Sequence, residues 1–155
     1  MAGKGTPAIV AAERAGISFT LHEYVHDAKA SSYGLEAAEK LGIDPERVFK
    51  TLVAVVDGTL TVAIVPVAAQ LDLKALGKRA TMADPKLAER TTGYVAGGIS
   101  PLGQRKRLPT VLDESALAFE TIHDRAGRRG LEIELAPADL LALTDGQARR
   151  ISAGR

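Results

Sequence analysis

The chain has 155 residues, 46% of them apolar and 25% charged, with a formal net charge of +1. That length suffices to bury a core in one domain without staples, and the composition is that of a globular rather than a disordered or fibrous protein. With no Cys at all, disulfides, Cys-ligated zinc and a protein thiol nucleophile are excluded.

Near the N-terminus, Thr6-Pro7 followed by AIVAAERA and Gly16 reads as a short helix, with Thr as N-cap, Pro in the first turn and Gly as terminator. Its apolar run of five residues ends at Glu13, too short for a signal-peptide core or a membrane span, so the expectation is a cytoplasmic protein. Residues 18–26 alternate bulky apolar and polar side chains, as a half-buried strand does. A helix is expected over 33–41, and Asp44-Pro45 opens a further helical turn. Residues 49–56 and 59–65 are β-branched runs joined by Asp57-Gly58, a two-residue hairpin signal.

Asp72 and Asp84-Pro85 cap two short helices, and 92–103 is a loop rich in Gly. Residues 108–112, 118–123 and 131–135 read as strands and 137–143 as a last helix. Short strands with unevenly spaced helices, and no regular βαβ rhythm, predict a single α+β domain over 1–155 with a mixed sheet.

Charge is unevenly spread: residues 1–77 carry 7 basic and 9 acidic side chains, and 78–155 carry 13 and 10. The excess lies in Arg105-Lys106-Arg107, in Arg125, Arg128 and Arg129, and in Arg149-Arg150. Such clusters suit either phosphate contacts on a polyanion or a solvated face.

Three local patterns bear on chemistry. His22-Glu23-Tyr24-Val25-His26 matches HExxH, but that zinc motif needs a helix. On a strand, positions four apart are roughly 13 Å distant and cannot share an ion, so no metal site is expected. Lys50 interrupts the apolar run VFKTLVAVV, either to snorkel to the sheet rim or to serve as a partly desolvated clamp, with Thr51 beside it. Gly97-Gly98-Ile99-Ser100-Pro101, followed by three cations, is either a loop that lets backbone approach a ligand or a turn with a solvated flank. No Gly-x-Ser-x-Gly elbow, P-loop or dinucleotide fingerprint is present, so no cofactor is expected.

The strings HEYVHD (22–27), VFKTL (48–52), MADP (82–85), RTTGYVAGGISPLGQRKRLPT (90–110) and RRGLEIELAP (128–137) resemble the YbaK/EbsC family. The likeness runs from about Thr6 to Leu143 and is nearest to the bacterial cysteinyl-tRNA(Pro) deacylases. It implies an α+β fold with a mixed, barrel-like sheet flanked by helices. It also implies trans-editing, the removal of a wrong amino acid from a charged tRNA, with prolyl-tRNA synthetase as a possible partner and a monomer or homodimer as the state.

By the same resemblance, the family lysine falls on Lys50, the first-strand tyrosine on Tyr24, the hydroxyl neighbour on Thr51 and the glycine loop on Gly97 and Gly98. Ser100, Pro101, Arg125 and Glu132 are expected at the amino-acid end of the substrate, and Arg105, Lys106, Arg107, Arg128 and Arg129 along the tRNA. The chain departs from the family pattern in several places: Arg125-Ala126-Gly127 stands where relatives usually carry Ser-Gly-Gly, Glu132 where Asp or a small polar residue is frequent, and His123 where Tyr is common, and the 57–58 hairpin is tighter than usual.

Overall fold

A computed structural model describes residues 5–29 and 32–153. Helix α1 (Pro7–Ala15) starts at Thr6, whose side chain accepts from the Ile9 N–H, and ends at Gly16, where φ is +70°. The capping residues read in the sequence thus set both ends. Strand β1 (Phe19–Glu23) is shorter than the alternation suggested, and Tyr24 lies just beyond it. Helix α2 (Tyr33–Leu41) is capped by the Ser32 side chain and stopped by Gly42, and Pro45–Arg47 form a 3-10 turn behind Asp44.

Strands β2 (Phe49–Val56) and β3 (Thr59–Pro66) pair antiparallel through the Asp57-Gly58 turn. Both turn residues have positive φ, 49° and 83°, as the hairpin turn that matches strand twist requires. There follow β4 (Gln70–Leu71), α3 (Leu73–Leu76), β5 (Ala80–Met82) and α4 (Pro85–Thr92). After the loop come β6 (Thr110–Asp113), a 3-10 segment Glu114–Ala118, β7 (Ile122–Arg125), β8 (Leu131–Leu135), α5 (Pro137–Thr144), β9 (Gln147–Arg149) and β10 (Ser152–Ala153). The strand expected over 118–123 begins only at Ile122, because Asp113 caps the 3-10 segment through the Ser115 N–H and takes up part of that stretch.

The main sheet runs β5-β2-β3-β6-β9, antiparallel across β5-β2-β3 and parallel across β3-β6-β9, so it is mixed. A second, antiparallel sheet has the order β1-β8-β7, and β4 pairs with β10. A parallel bridge from Val48 to His123 joins the first two sheets. Between them lies the core: Phe49, Val53, Val62 and Ile64 from one side meet Ile122, Ile133 and Leu135 from the other, with α1 and α5 closing the ends through Ala8, Ala12 and Leu140. The α+β class and mixed sheet expected from the sequence are present, with the largest apolar cluster drawing on both sheets and two smaller clusters beside it. Among the described residues no helix is long and apolar enough to cross a membrane.

Alternation within β2 and β7 positions the site. Phe49 and Val53 enter the core, so Lys50 and Leu52 face the other side. On β7, Ile122 and Ala126 border the core, leaving His123 and Arg125 on the opposite face with Glu132 and Glu134 of β8.

Candidate active site

Lys50 and Arg125 meet at a cavity of about 270 Å³, lined also by Ser32, Tyr33 and Gly34 at the start of α2 and by Gly97 and Ile99 of the loop. Thr51 and Leu52 complete the wall. No acidic residue is in it. Arg125 is only 7% exposed, and its Nη1 donates to the Phe49 carbonyl at 2.8 Å, which fixes the guanidinium against β2. Lys50 makes no side-chain hydrogen bond or ion pair among the described residues; burial, and then the nearby Arg125, hold its pKa below the usual lysine range.

Two buried carboxyls flank the arginine. Asp124, fully buried, accepts from Thr51 Oγ1 at 2.9 Å and from the Arg125 N–H at 2.6 Å. Burial raises its pKa to about 7. Glu132, opposite Arg125 in the β7–β8 register, is 1% exposed, and burial raises it to about 8. Its Oε1 has no hydrogen-bond partner among the described residues. Burial disfavours the charged form of both carboxyls, and neither lines the cavity, whose wall carries Lys50 and Arg125.

The loop is shaped by what its glycines touch. Gly97 has φ +83°, and a Cβ there would lie 2.7 Å from Cδ2 of Tyr33. The backbone therefore presses on the face of a tyrosine that is itself held, since Arg129 stacks over that ring at 4.7 Å and donates from Nε to the Ala96 carbonyl at 2.8 Å. A Cβ on Gly98 would meet the Arg128 backbone at 2.7 Å, so that glycine serves the packing of the loop on the β7–β8 turn.

Of the expected site residues, the structure brings Lys50, Thr51, Gly97 and Arg125 to one cavity. The rest lie elsewhere. The Thr51 hydroxyl is committed to Asp124. Tyr24 is half-buried below α2, with its pKa raised by burial and by Glu132 and Glu36. Ser100 is fully buried, its hydroxyl accepting from the Leu102 N–H at 3.2 Å, and Pro101 lines a separate cavity of about 240 Å³ with Arg107 and Leu143. The loop thus presents Gly97 and Ile99 to the site and turns Ser100 and Pro101 away, because Tyr94 draws this stretch inward by donating to the Leu102 carbonyl at 2.6 Å.

The cation clusters divide in the same way. Arg129 reaches the site through Tyr33, whereas exposed Arg128 pairs with Glu23 at 2.7 Å. Arg105 and Arg107 donate weakly to the carbonyls of Arg90 and Leu143, and the Lys106 N–H donates to Thr91. Tyr33, Ser32 and Gly34 were not singled out from the sequence; the signal was their place at the start of a capped helix, where free backbone N–H groups gather.

The HExxH histidines go to different partners. His22 Nε2 lies 2.8 Å from Glu134 Oε1, and His26 Nδ1 lies 2.8 Å from Glu36 Oε1.

Comparison with known proteins places this geometry. The model of the aminoacyl-tRNA editing domain matches residues 28–143, which include every residue of the cavity wall. A protein of Enterococcus faecalis named "Putative Cys-tRNA(Pro)/Cys-tRNA(Cys) deacylase EbsC" is 46% identical over 121 residues, covering 74% of each chain. A crystal structure described as "a putative trans-editing enzyme for prolyl tRNA synthetase" superposes with a TM-score of 0.83 at 27% identity, over 96% of both chains. Another, of a hypothetical protein, gives 0.85 at 21% identity over 96% of this chain and all of its own, and so speaks to the fold alone. The match to the editing-domain model spans most of the chain, and the quoted motifs lie within it or at its edge: the chain belongs to the aminoacyl-tRNA editing domain family, that of YbaK and EbsC.

Proposed function

We propose that the chain is a trans-editing deacylase that removes cysteine from mischarged Cys-tRNA(Pro), and from Cys-tRNA(Cys) as well. The observation that carries this reading is the convergence of Lys50, Arg125, the Gly97 backbone and the start of α2 on one cavity without an acid in its wall. An aminoacyl-tRNA presents a carbonyl next to a phosphodiester, and the site offers two cations and the backbone of Gly97 to both. The 46% identity to a relative named as a Cys-tRNA deacylase supports the same substrate.

The cavity wall contains no thiol, no histidine and no ionised carboxylate, and its threonine hydroxyl is already donated. Attack by the substrate's own sulfur fits this setting. The cysteine thiol gives up its proton to solvent, and its sulfur bonds to the carbonyl carbon. The C–O bond to the terminal ribose breaks, the ribose oxygen takes a proton, and a cyclic thiolactone leaves. Lys50 stabilises the oxyanion or the terminal phosphate, and the enclosed geometry supplies proximity, worth roughly 7–11 kcal/mol at best. The tRNA lies along the face that carries Arg129 and Arg128, and prolyl-tRNA synthetase supplies the choice of tRNA.

The test is release of radiolabelled amino acid from tRNA(Pro) charged with cysteine, 2-aminobutyrate, alanine or proline. Cysteine should be released by wild type and not by Lys50→Ala, and aminobutyrate, which lacks the thiol, should be spared. Equal release of aminobutyrate overturns the thiol mechanism. Release of alanine with cysteine spared shows a deacylase for another small aminoacyl-tRNA, and tRNA binding with no release at all shows a binding module.

A further inference from the structure

We propose that His22, His123 and Glu134 form a binding site for one divalent transition ion, Zn²⁺ or Co²⁺, that staples the three strands of the second sheet. The sequence led to the opposite expectation, because the two histidines of HExxH cannot share an ion across a strand. The fold gives His22 another partner. Glu134 of β8 lies directly opposite His123 of β7 and diagonal to His22 of β1, so one residue from each strand reaches the same point. One ligand atom from each lies within 4.8 Å of the other two. Glu134 Oε1 is 2.8 Å from His22 Nε2 and 4.0 Å from His123 Nε2. Ligands at zinc bond lengths in a tetrahedron sit about 3.3 Å apart, between those two separations.

An independent sign is the state of His123. It is 2% exposed, its Nδ1 has no hydrogen-bond partner among the described residues, and its Nε2 faces Glu134 from beyond hydrogen-bond reach. Nε2 faces Glu134 without bonding to it, and an ion at the trio gives that nitrogen a partner, while Nδ1 carries the proton of the neutral ring. Glu134 is already oriented for this. Its Oε2 accepts from Thr121 Oγ1 at 2.6 Å and faces Arg47 at 3.6 Å, which leaves Oε1 turned to the histidines.

Arg47 is a like charge beside the trio. It is held on the far side of the carboxylate by the Thr121 carbonyl and hydroxyl, at 3.1 and 2.8 Å, and by the ring of Phe119. Two neutral imidazoles and a carboxylate suit borderline ions rather than Mg²⁺ or Ca²⁺, which prefer oxygen ligands. The side chains of His22 and Glu134 are 30% and 25% exposed, so the ion has an entry and a place for a water ligand. This inference stands apart from the proposed deacylation, since none of the three residues lines the Lys50 cavity.

The full chain, stripped with chelator, is titrated with Zn²⁺ by calorimetry and with Co²⁺ by visible absorption, and its Tm is followed in both. One ion per chain, a visible cobalt band of four- or five-coordinate type and a rise in Tm are expected. His22→Ala and Glu134→Gln, both partly exposed and compatible with folding, should each weaken binding by about tenfold or more. His26→Ala should leave it unchanged. The proposal is overturned if binding does not saturate near one ion per chain, if His22→Ala and Glu134→Gln bind as wild type does, or if His26→Ala removes the effect.

Discussion

Lys50 and Arg125 share the wall of one cavity, and the arginine helps to hold the lysine's pKa down, second only to burial. An ammonium so placed opposes folding. The unfolded chain binds its proton at the ordinary lysine pKa and the folded chain only at a lower one. Between those two values the unfolded state holds more protons, so wild-type stability rises with pH through that window. Lys50→Met, which keeps the stem and removes the charge, should therefore unfold at a higher temperature, with the gain shrinking as pH rises. The same variant should slow cysteine release by about 100-fold or more if the ammonium stabilises a developing oxyanion. Thermal melts at several pH values, beside a release assay corrected for spontaneous ester hydrolysis, read both outcomes.

Gly97 and Tyr33 give a prediction about shape. Alanine at 97 would take an unfavourable positive φ and press its Cβ into the Tyr33 ring. A strained backbone of this kind costs about 1–3 kcal/mol. Truncating the ring relieves the overlap but not the φ, so Gly97→Ala with Tyr33→Ala should be less destabilised than the sum of the two single variants. Denaturant unfolding of the four proteins in a double-mutant cycle measures this, and strict additivity would show that the ring does not confine the loop.

Glu36 links the segment after β1 to α2. Burial alone would raise its pKa, yet the Asp27 N–H, His26 and Lys40 together hold it below the usual value. Its Oε2 accepts from the Asp27 N–H at 2.5 Å and lies 3.2 Å from Lys40 Nζ, and its Oε1 meets His26. A depressed carboxyl pKa adds stability that is present above the unfolded value and lost as pH falls through the folded one. Glu36→Gln should cost about 1.5–3 kcal/mol at pH 7, and the gap to wild type should narrow in acid below the folded pKa. Urea titrations at neutral and acid pH check the direction.

How much of this could be read in advance depended on how local the cause was. Thr6-Pro7, Asp57-Gly58, Asp84-Pro85 and the glycines that end α1 and α2 act within a few residues, and they appeared in the sequence as they appear in the fold. Strands β4, β5, β9 and β10 have two or three residues each, too few for alternation to register, and they exist because a neighbour offers an edge. At the site, Lys50 stood out as a charge inside an apolar run. Tyr33 did not, because its role comes from Gly97 and Arg129, 64 and 96 positions away. Ser100 and Pro101 looked like parts of one loop wall, yet the loop turns at Ile99 and buries them. The pairing of His22 with Glu134 likewise depends on the register of β1 and β8, which no short motif encodes.

Arg125 stands where the family resemblance implies the serine of a Ser-Gly-Gly turn, and its removal separates two of its effects. Arg125→Ser leaves the Phe49 carbonyl without the guanidinium it now binds, a loss of about 1.5–3 kcal/mol for a bond to a charged donor. It also removes the cation that lowers Lys50, so the lysine pKa should move up. If release needs the Lys50 ammonium, activity falls as pH rises through that pKa, and in Arg125→Ser this fall should begin at a higher pH than in wild type. The serine also opens the cavity on the side of Glu132, so discrimination between cysteine and alanine should change together with the pH profile. Rate profiles from neutral to alkaline pH for cysteinyl- and alanyl-tRNA(Pro) test both. A shifted profile with unchanged selectivity would confine Arg125 to tuning the lysine, whereas altered selectivity with an unshifted profile would make it part of the amino-acid pocket and leave burial as the sole cause of the low Lys50 pKa.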